Sequence, residues 1–116
     1  MKKLVMMLVA AALLLAVDVT GTWDMAVEVA GNAGGPTFVL KQTGTALTGK
    51  YSGALGEADV TGKVEGDKVE LMFVVSPQGD KVEVFYKGTL KADGGMEGTV
   101  EIPGLGSGTF KGSRRK

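Results

Sequence analysis

Few side chains of this protein could take part in chemistry. The sequence contains no histidine and no cysteine, which excludes Ser-His-Asp and Cys-His nucleophiles and zinc sites built from nitrogen or sulfur ligands. The carboxylates of Glu57, Asp59 and Glu65 could pair for acid–base work or hold calcium. However, Asp59 and Glu65 fall on the polar side of an alternating segment, with Lys63 between them, which is typical of a solvated outer face. We therefore predict that the protein is not an enzyme and needs neither a metal nor a cofactor.

One pair of residues, Trp23 and Arg114, could bind rather than react. Both fall on the apolar side of the alternation, one near each end of the chain. If the first and last strands pair, the guanidinium can lie over the indole face, which contributes about 0.5–2 kcal/mol. Arg114 could also bond to carbonyl groups where the chain ends converge. We interpret the pair as a structural plug that closes one rim, in preference to a ligand contact.

A repeated strand pattern must position these residues. Six stretches read polar, glycine, polar, large apolar, and the last three are ten residues apart. The six are Thr20-Gly21-Thr22-Trp23, Thr48-Gly49-Lys50-Tyr51, Thr61-Gly62-Lys63-Val64, Lys87-Gly88-Thr89-Leu90, Glu97-Gly98-Thr99-Val100 and Ser107-Gly108-Thr109-Phe110. Such stretches, separated by turn residues, are typical of a meandering antiparallel sheet.

Eight segments of this chain alternate apolar and polar residues. Gly66-Asp67 suits a two-residue hairpin loop, residues 77–80 form a four-residue turn signal, and residues 31–36 are expected to form a flexible loop. A strand that coils tightly around a narrow barrel needs inward positions without a Cβ, and six glycines fall on such positions: Gly49, Gly62, Gly88, Gly98, Gly108 and Gly112. The predicted fold class is all-β, an eight-stranded antiparallel up-and-down barrel, in preference to a sandwich.

The first 16 residues have the layout of a secretory signal peptide. Lys2 and Lys3 precede an uncharged apolar run over residues 4–17, which is shorter than the roughly 20 residues that a membrane span needs. We expect a signal peptide over 1–16 and one barrel domain over 17–116, with a buried N-terminal helix as the alternative. The protein is thus predicted to be exported, either periplasmic or secreted from a bacterium, with no membrane span in its mature form.

The charge of the mature part argues against a nucleic-acid partner. Removal of residues 1–16 takes away two lysines and no acidic residue, so acidic side chains slightly outnumber basic ones. Nucleic-acid binding requires a basic surface stripe, and no such partner is expected.

The first and last strands carry a known combination. Gly21-Thr22-Trp23 with Arg114 resembles the signature of the calycins, which group lipocalins, fatty-acid-binding proteins and avidins. The stretches over 20–23, 37–38 and 46–51 are similar to avidin-type proteins. The biotin site does not carry over, since Asp24 and Met25 stand where its polar pocket would begin and Trp23 is the only tryptophan. The whole mature chain resembles small exported bacterial β-barrel domains of unknown function, a resemblance that implies no ligand or active site.

The interior of such a barrel can be filled by side chains or can hold one small ligand. We expect one end to be packed, with at most a small apolar pocket near Tyr51 and Tyr86. The residues predicted to line it are Tyr51, Phe73, Tyr86 and Gln42, and an acidic ligand would need Arg114 or Gln42 as its polar anchor. A filled core is the alternative, which the composition slightly favours.

The outer face carries a second feature. Residues 71–75 are apolar on both sides of the strand, so Met72 and Val74 should point outward, with Met72 opposite Phe85 on the next strand. Neighbouring apolar residues on a solvent face form a patch that often marks contact with another surface. A homodimer or a partner protein would fit this patch, and scattered exposed apolar residues are the alternative.

Two functions follow from these observations. The first is a non-enzymatic exported barrel that binds a small hydrophobic ligand in its lumen. The alternative is an interaction or structural module that uses the Met72, Val74 and Phe85 face and has a filled core without a ligand.

Overall fold

The computed structural model describes residues 18–77 and 79–115, and the predicted signal peptide over 1–16 lies outside these ranges. All regular structure in the described ranges is β. The strands are β1 (Gly21–Val29), β2 (Asn32–Gly34), β3 (Thr37–Thr43), β4 (Ala46–Gly53), β5 (Gly56–Glu65), β6 (Lys68–Val75), β7 (Val82–Leu90), β8 (Met96–Ile102) and β9 (Gly106–Arg114). Over the same residues there is no helix long and apolar enough to span a bilayer.

The strands form because apolar and polar residues alternate with a period of two. In β1, Trp23 and Met25 are buried while Asp24 and Ala26 are exposed. The same alternation recurs from β3 to β9. The buried sides of all these strands face one common interior.

The sheet closes on itself. β1 pairs antiparallel with both β2 and β3, each later strand from β3 to β9 pairs antiparallel with the next, and β1 also pairs antiparallel with β9. That closing ladder runs from Trp23 opposite Arg114 to Val29 opposite Gly108. The prediction of a closed, eight-stranded, up-and-down antiparallel barrel is confirmed, with β2 and β3 together serving as its second strand.

The prediction of a flexible loop over residues 31–36 is wrong. Residues 32–34 form β2, which pairs with the end of β1, and β3 pairs with the beginning of β1 in the same register. Pro36 separates β2 from β3 because it has no N–H to donate to the ladder, although its carbonyl still accepts a hydrogen bond from the Met25 N–H at 3.0 Å. A tight two-residue turn at Ala30-Gly31 leaves both residues at positive φ and leads straight into β2.

The glycines on the inward side allow neighbouring strands to approach closely. A Cβ atom at Gly98 would overlap the carbonyl oxygen of Lys87 on β7, and one at Gly49 would overlap the carbonyl oxygen of Val39 on β3. A side chain at either position would force the two backbones apart, so tight closure of this barrel depends on glycine there.

The two ends of the barrel differ. The closed end, where β1 begins and β9 ends, is covered by Val19, whose side chain is fully buried. The open end carries the β1–β2 turn, the β4–β5 turn at Ala54-Leu55, the β6–β7 loop and the β8–β9 loop. The predicted two-residue loop at Gly66-Asp67 is confirmed at the closed end, since Glu65 and Lys68 pair directly.

Candidate functional site: an apolar cavity at the open end

The closed end is sealed by Trp23 and Arg114, which the structure brings together. The guanidinium carbon of Arg114 lies 4.9 Å from the centre of the Trp23 ring. Arg114 also donates hydrogen bonds to the carbonyl oxygens of Asp18 at 2.7 Å and Thr20 at 3.4 Å. The Trp23 indole N–H donates to the carbonyl of Val19 at 2.9 Å. The N-terminal segment therefore crosses the closed end of the barrel, and Arg114 holds it there.

Gln42 belongs to this closed end and not to the pocket in which the sequence placed it. Its side-chain oxygen accepts a hydrogen bond from the Val19 N–H at 2.8 Å, and its side-chain nitrogen donates to the Gly44 carbonyl at 2.9 Å. Because both the oxygen and the nitrogen of its side-chain amide are hydrogen-bonded, Gln42 helps to hold the N-terminal segment at the closed end. Neither Gln42 nor Arg114 is among the residues that line a cavity together with Tyr51 and Tyr86.

The open end contains a cavity of about 230 Å³ that reaches down between the strands. Tyr51, Phe73 and Tyr86, which were predicted to line a pocket, all lie on its wall. The other lining residues are uncharged, and most are apolar: Val27, Val29, Ala30, Asn32, Ala33, Gly34, Gly35, Pro36, Ala54, Leu55, Val84, Val100, Ile102 and Leu105.

Aromatic rings form the floor of this cavity. Tyr51 stacks on Phe73 with ring centres 4.2 Å apart and planes 18° apart. Phe38, fully buried beneath them, packs edge-on against Tyr51 at 5.4 Å and Tyr86 at 5.1 Å. Phe110 extends the group on the side of Tyr86 at 4.9 Å. Such contacts hold the rings in fixed positions, so the floor is preorganised.

The two tyrosine hydroxyls are the polar groups of the floor. Burial raises the pKa of the Tyr51 hydroxyl, and the backbone amide of Leu55 opposes part of that shift. Burial also raises the pKa of Tyr86, and strongly, with a smaller contribution from the neighbouring Tyr51. Both hydroxyls are therefore neutral at ordinary pH, because a low-dielectric surrounding disfavours the phenolate.

Sequence reasoning missed the residues at the mouth of the cavity. Asn32 and Gly34 pair with Val29 and Val27, which places them on the inward side of β2. They were overlooked because the stretch was interpreted as a loop. A Cβ atom at Gly34 would meet no other atom within 4 Å, so this glycine leaves open space at the mouth. Leu105, 65% exposed on the β8–β9 loop, flanks the mouth and gave no sequence signal beyond its apolar type.

The outer face has the predicted register. Met72 on β6 lies directly opposite Phe85 on β7, and both side chains are partly exposed. Val74, two residues further along β6, is 39% exposed. The three residues form one apolar strip, here called the outer strip, on the side of the barrel.

The carboxylates considered as a catalytic or calcium site lie on the solvent side. Asp59 pairs with Lys50, and Glu65 lies 3.9 Å from Lys63, with all four side chains largely exposed. Across residues 18–77 and 79–115 no group of three acidic residues is placed to hold a metal ion.

Comparison with known proteins shows the fold. No protein-family model and no curated protein matches the sequence. The redesigned β-barrel mFAP1, in a structure bound to DFHBI, is similar with a TM-score of 0.61 and 15% identity, over 90% of this chain and 98% of the other. The redesigned β-barrel mFAP0, also bound to DFHBI, is similar with a TM-score of 0.60 and 14% identity, over 88% and 99% of the two chains. The chain therefore has the architecture of a small closed β-barrel.

Proposed function

We propose that this protein is a non-enzymatic binding protein that takes one small, neutral, apolar ligand into the cavity at its open end. The observation that carries the proposal is the cavity of about 230 Å³, to whose lining residues 18–77 and 79–115 contribute no charged side chain. Burial of apolar ligand surface against such walls would supply the binding free energy.

The volume limits the size of the ligand. An apolar cavity of about 150 Å³ is enough to bind benzene, whereas pockets for drug-sized molecules begin near about 300 Å³. The cavity here, at about 230 Å³, lies between these two, which favours a ligand of one or two rings. The binding of DFHBI by mFAP1 and mFAP0 supports the proposal, because it shows that barrels of this architecture can hold a small ligand.

Naphthalene binding tests the proposal. We expect the purified protein to bind naphthalene in equilibrium dialysis and Gly34→Leu to weaken that binding about tenfold or more, since the added side chain occupies the mouth. Ala26→Leu adds a similar apolar side chain on the outer side of β1 and should leave the dissociation constant unchanged. Absence of naphthalene binding, or equal binding by both variants in their folded forms, would refute the proposal.

The outer strip supports a second candidate function, association through the side of the barrel. Met72 and Phe85 are direct cross-strand neighbours and remain partly exposed, an arrangement that favours contact with another apolar surface. If the strip joins two copies, native mass spectrometry should show a dimer that Phe85→Asp converts to monomer. Ala26→Asp, on the outer side of β1, should leave the dimer intact. A monomeric wild-type protein would remove the homodimer from consideration.

We also propose that the protein is exported and that the barrel is calycin-like. The apolar run after Lys2 and Lys3 supports export, and the Trp23–Arg114 contact at the closed end supports the calycin-like assignment. N-terminal sequencing of protein recovered from the periplasm or medium of a bacterial host should begin near Val17. Recovery of only the intact chain from the cytoplasm would contradict export.

A further inference from the structure

We propose that the ligand of the open-end cavity is a neutral aromatic carbonyl compound whose carbonyl oxygen accepts a hydrogen bond from the Tyr86 hydroxyl. This inference rests on the proposed function and names the class of ligand for the same cavity.

Among residues 18–77 and 79–115, the Tyr86 hydroxyl is a donor without a hydrogen-bond partner. Its residue is only 3% exposed, and no hydrogen bond joins its hydroxyl to any residue in the described ranges. Over those ranges no fully buried side-chain nitrogen or oxygen lacks a partner. The hydroxyl oxygen must therefore be the part of Tyr86 that reaches open space, and the cavity that Tyr86 lines provides that space.

The Tyr51 and Tyr86 hydroxyls have different surroundings, although both rings lie in the floor of the cavity. The Tyr51 hydroxyl packs against Gly53, where a Cβ would lie 2.6 Å from its oxygen, and the Leu55 backbone amide interacts with it. No side-chain hydrogen bond joins the Tyr51 hydroxyl to a residue in the described ranges either, but its contact with Gly53 places it under the β4–β5 turn. We therefore assign Tyr86 as the donor to the ligand.

The acceptor on the ligand must be neutral. In the described part of the chain no lysine or arginine lines the cavity, and Arg114 is bonded to the N-terminal segment at the closed end. A carboxylate in this cavity would lose its hydration without gaining a cation, which is strongly unfavourable. Burial raises the pKa of Tyr86, so the hydroxyl keeps its proton and can donate it to a neutral oxygen.

A planar ring is favoured by the walls around this donor. The stacked pair of Tyr51 and Phe73 and the ring of Tyr86 line the cavity, and aromatic faces and edges pack best against another aromatic ring. A pure hydrocarbon would fill the same space but would displace water from Tyr86 and leave its hydroxyl unpartnered, which weakens binding.

Three naphthalenes that differ only in the substituent at position 2 distinguish these possibilities: 2-acetylnaphthalene, 2-ethylnaphthalene and 2-naphthoate. Dissociation constants are measured by equilibrium dialysis for the wild-type protein, Tyr86→Phe and the matched control Tyr51→Phe. We expect the ratio of ethyl to acetyl dissociation constants to fall about tenfold in Tyr86→Phe, because only that variant loses the donor. In Tyr51→Phe the ratio should change by less than about threefold, and 2-naphthoate should bind each protein more weakly than the ketone.

The outcomes separate this inference from the proposed function. If both uncharged naphthalenes bind and their ratio is the same in Tyr86→Phe, the cavity binds ligand but the Tyr86 assignment is wrong. If 2-naphthoate binds as tightly as the ketone, the neutral-ligand assignment is wrong. If none of the three binds, the proposed function fails too. A second measurement is the infrared carbonyl band of bound 2-acetylnaphthalene, which should lie at lower frequency in the wild-type protein than in Tyr86→Phe, and equal frequencies overturn the inference.

Discussion

At the scale of single residues, Arg114 combines three structural roles. It covers the Trp23 ring, bonds to two carbonyl groups of the N-terminal segment and occupies the last position of the ladder that closes the barrel. Arg115, the next residue, forms an ion pair with Asp24 on the exposed surface. Of the two adjacent arginines, Arg114 therefore makes structural contacts at the closed end, whereas the Arg115 side chain forms a surface ion pair.

Replacement of Arg114 should measurably loosen the closed end. We expect Arg114→Met to lower the free energy of unfolding by about 1–3 kcal/mol, since the cation–π contact and the bonds to the Asp18 and Thr20 carbonyls are lost. Urea unfolding followed by the fluorescence of Trp23, the only tryptophan, measures the change. The control Arg115→Met should cost at most about 1 kcal/mol. Equal losses in the two variants would contradict the role given to Arg114.

At the scale of the elements, the shape of the barrel depends on how closely neighbouring strands approach and where the chain turns. The inward glycines allow the close approach, and the turns at the open end decide how far the mouth is covered. Ala30 is the only residue other than glycine, within 18–77 and 79–115, that has a positive φ, at 51°. Both features lead to stability predictions for single elements.

An added methyl group at Gly98 should disrupt the pairing of β7 and β8. We expect Gly98→Ala to lower the free energy of unfolding by about 3 kcal/mol or more, because the new Cβ overlaps the carbonyl oxygen of Lys87 and both strands must shift. Gly34→Ala is the matched control, since a Cβ there meets nothing within 4 Å, and its effect should stay within about 1 kcal/mol. Thermal unfolding of the two variants compares them, and a Gly98→Ala protein as stable as the control would rule out the close-approach explanation.

The turn between β1 and β2 can be improved. Ala30 and Gly31 both have positive φ, which is the backbone of a type I′ turn and favours Asn-Gly. We expect Ala30→Asn to raise the free energy of unfolding by about 0.5–1 kcal/mol, because asparagine tolerates the left-handed conformation better than alanine. A shift of the urea midpoint to higher concentration would show this. Ala54→Asn, in another two-residue turn of the open end but without a positive φ, serves as the control and should give no gain.

At the scale of the whole molecule, the barrel is half filled and half open. Side chains from β1, β3 and β9 pack with the N-terminal segment to fill the closed end, whereas the rings of Tyr51, Phe73 and Tyr86 stop short of the mouth. The two tyrosines are the only ones in the chain, so their titration reports on this half-buried floor.

Stability should fall in alkaline solution. The unfolded chain loses its tyrosine protons near pH ~10, whereas burial raises the pKa of Tyr51 and Tyr86 in the folded state. Above pH ~10 the folded protein therefore binds more protons than the unfolded chain, and its free energy of unfolding falls as the pH rises, by about 1.4 kcal/mol per unit for each tyrosine that stays protonated. Below that pH the tyrosines add no slope.

Urea unfolding across this alkaline range measures the slope. Tyr86→Phe removes one of the two groups and should make the slope shallower, while all lysines are the same in both proteins. Phenolate absorbance should rise together with unfolding. A Tyr86→Phe protein with the same pH slope as the wild type, or phenolate absorbance that rises near pH ~10 in the folded protein, would contradict the raised pKa of Tyr86.

The candidate site was predictable only where it depends on strand register. Tyr51, Phe73 and Tyr86 were found because alternation assigns them to the inward side, and the cross-strand pair of Met72 and Phe85 followed from the turn between their strands. Gln42 also falls on the inward side of its strand, but its amide bonds to Val19 and Gly44 at the closed end. Those bonds depend on where the N-terminal segment crosses the closed end, which alternation does not predict. Asn32 and Gly34 were missed because the surrounding Gly31, Gly35 and Pro36 led to the prediction of a loop where the structure has β2.

By itself, the sequence determined the number of barrel strands, the inward face of each and the closure that brings Trp23 to Arg114. Those properties follow from the alternation of apolar and polar residues and from glycines at inward positions. Both are local signals, because they depend only on neighbouring residues and neighbouring strands. The sequence left a small pocket near Tyr51 and Tyr86 and a filled core as alternatives, and only the tertiary structure decided between them and placed the cavity at the open end. A cavity depends on how side chains from all the strands meet at one level of the barrel, and no local pattern records that sum of volumes.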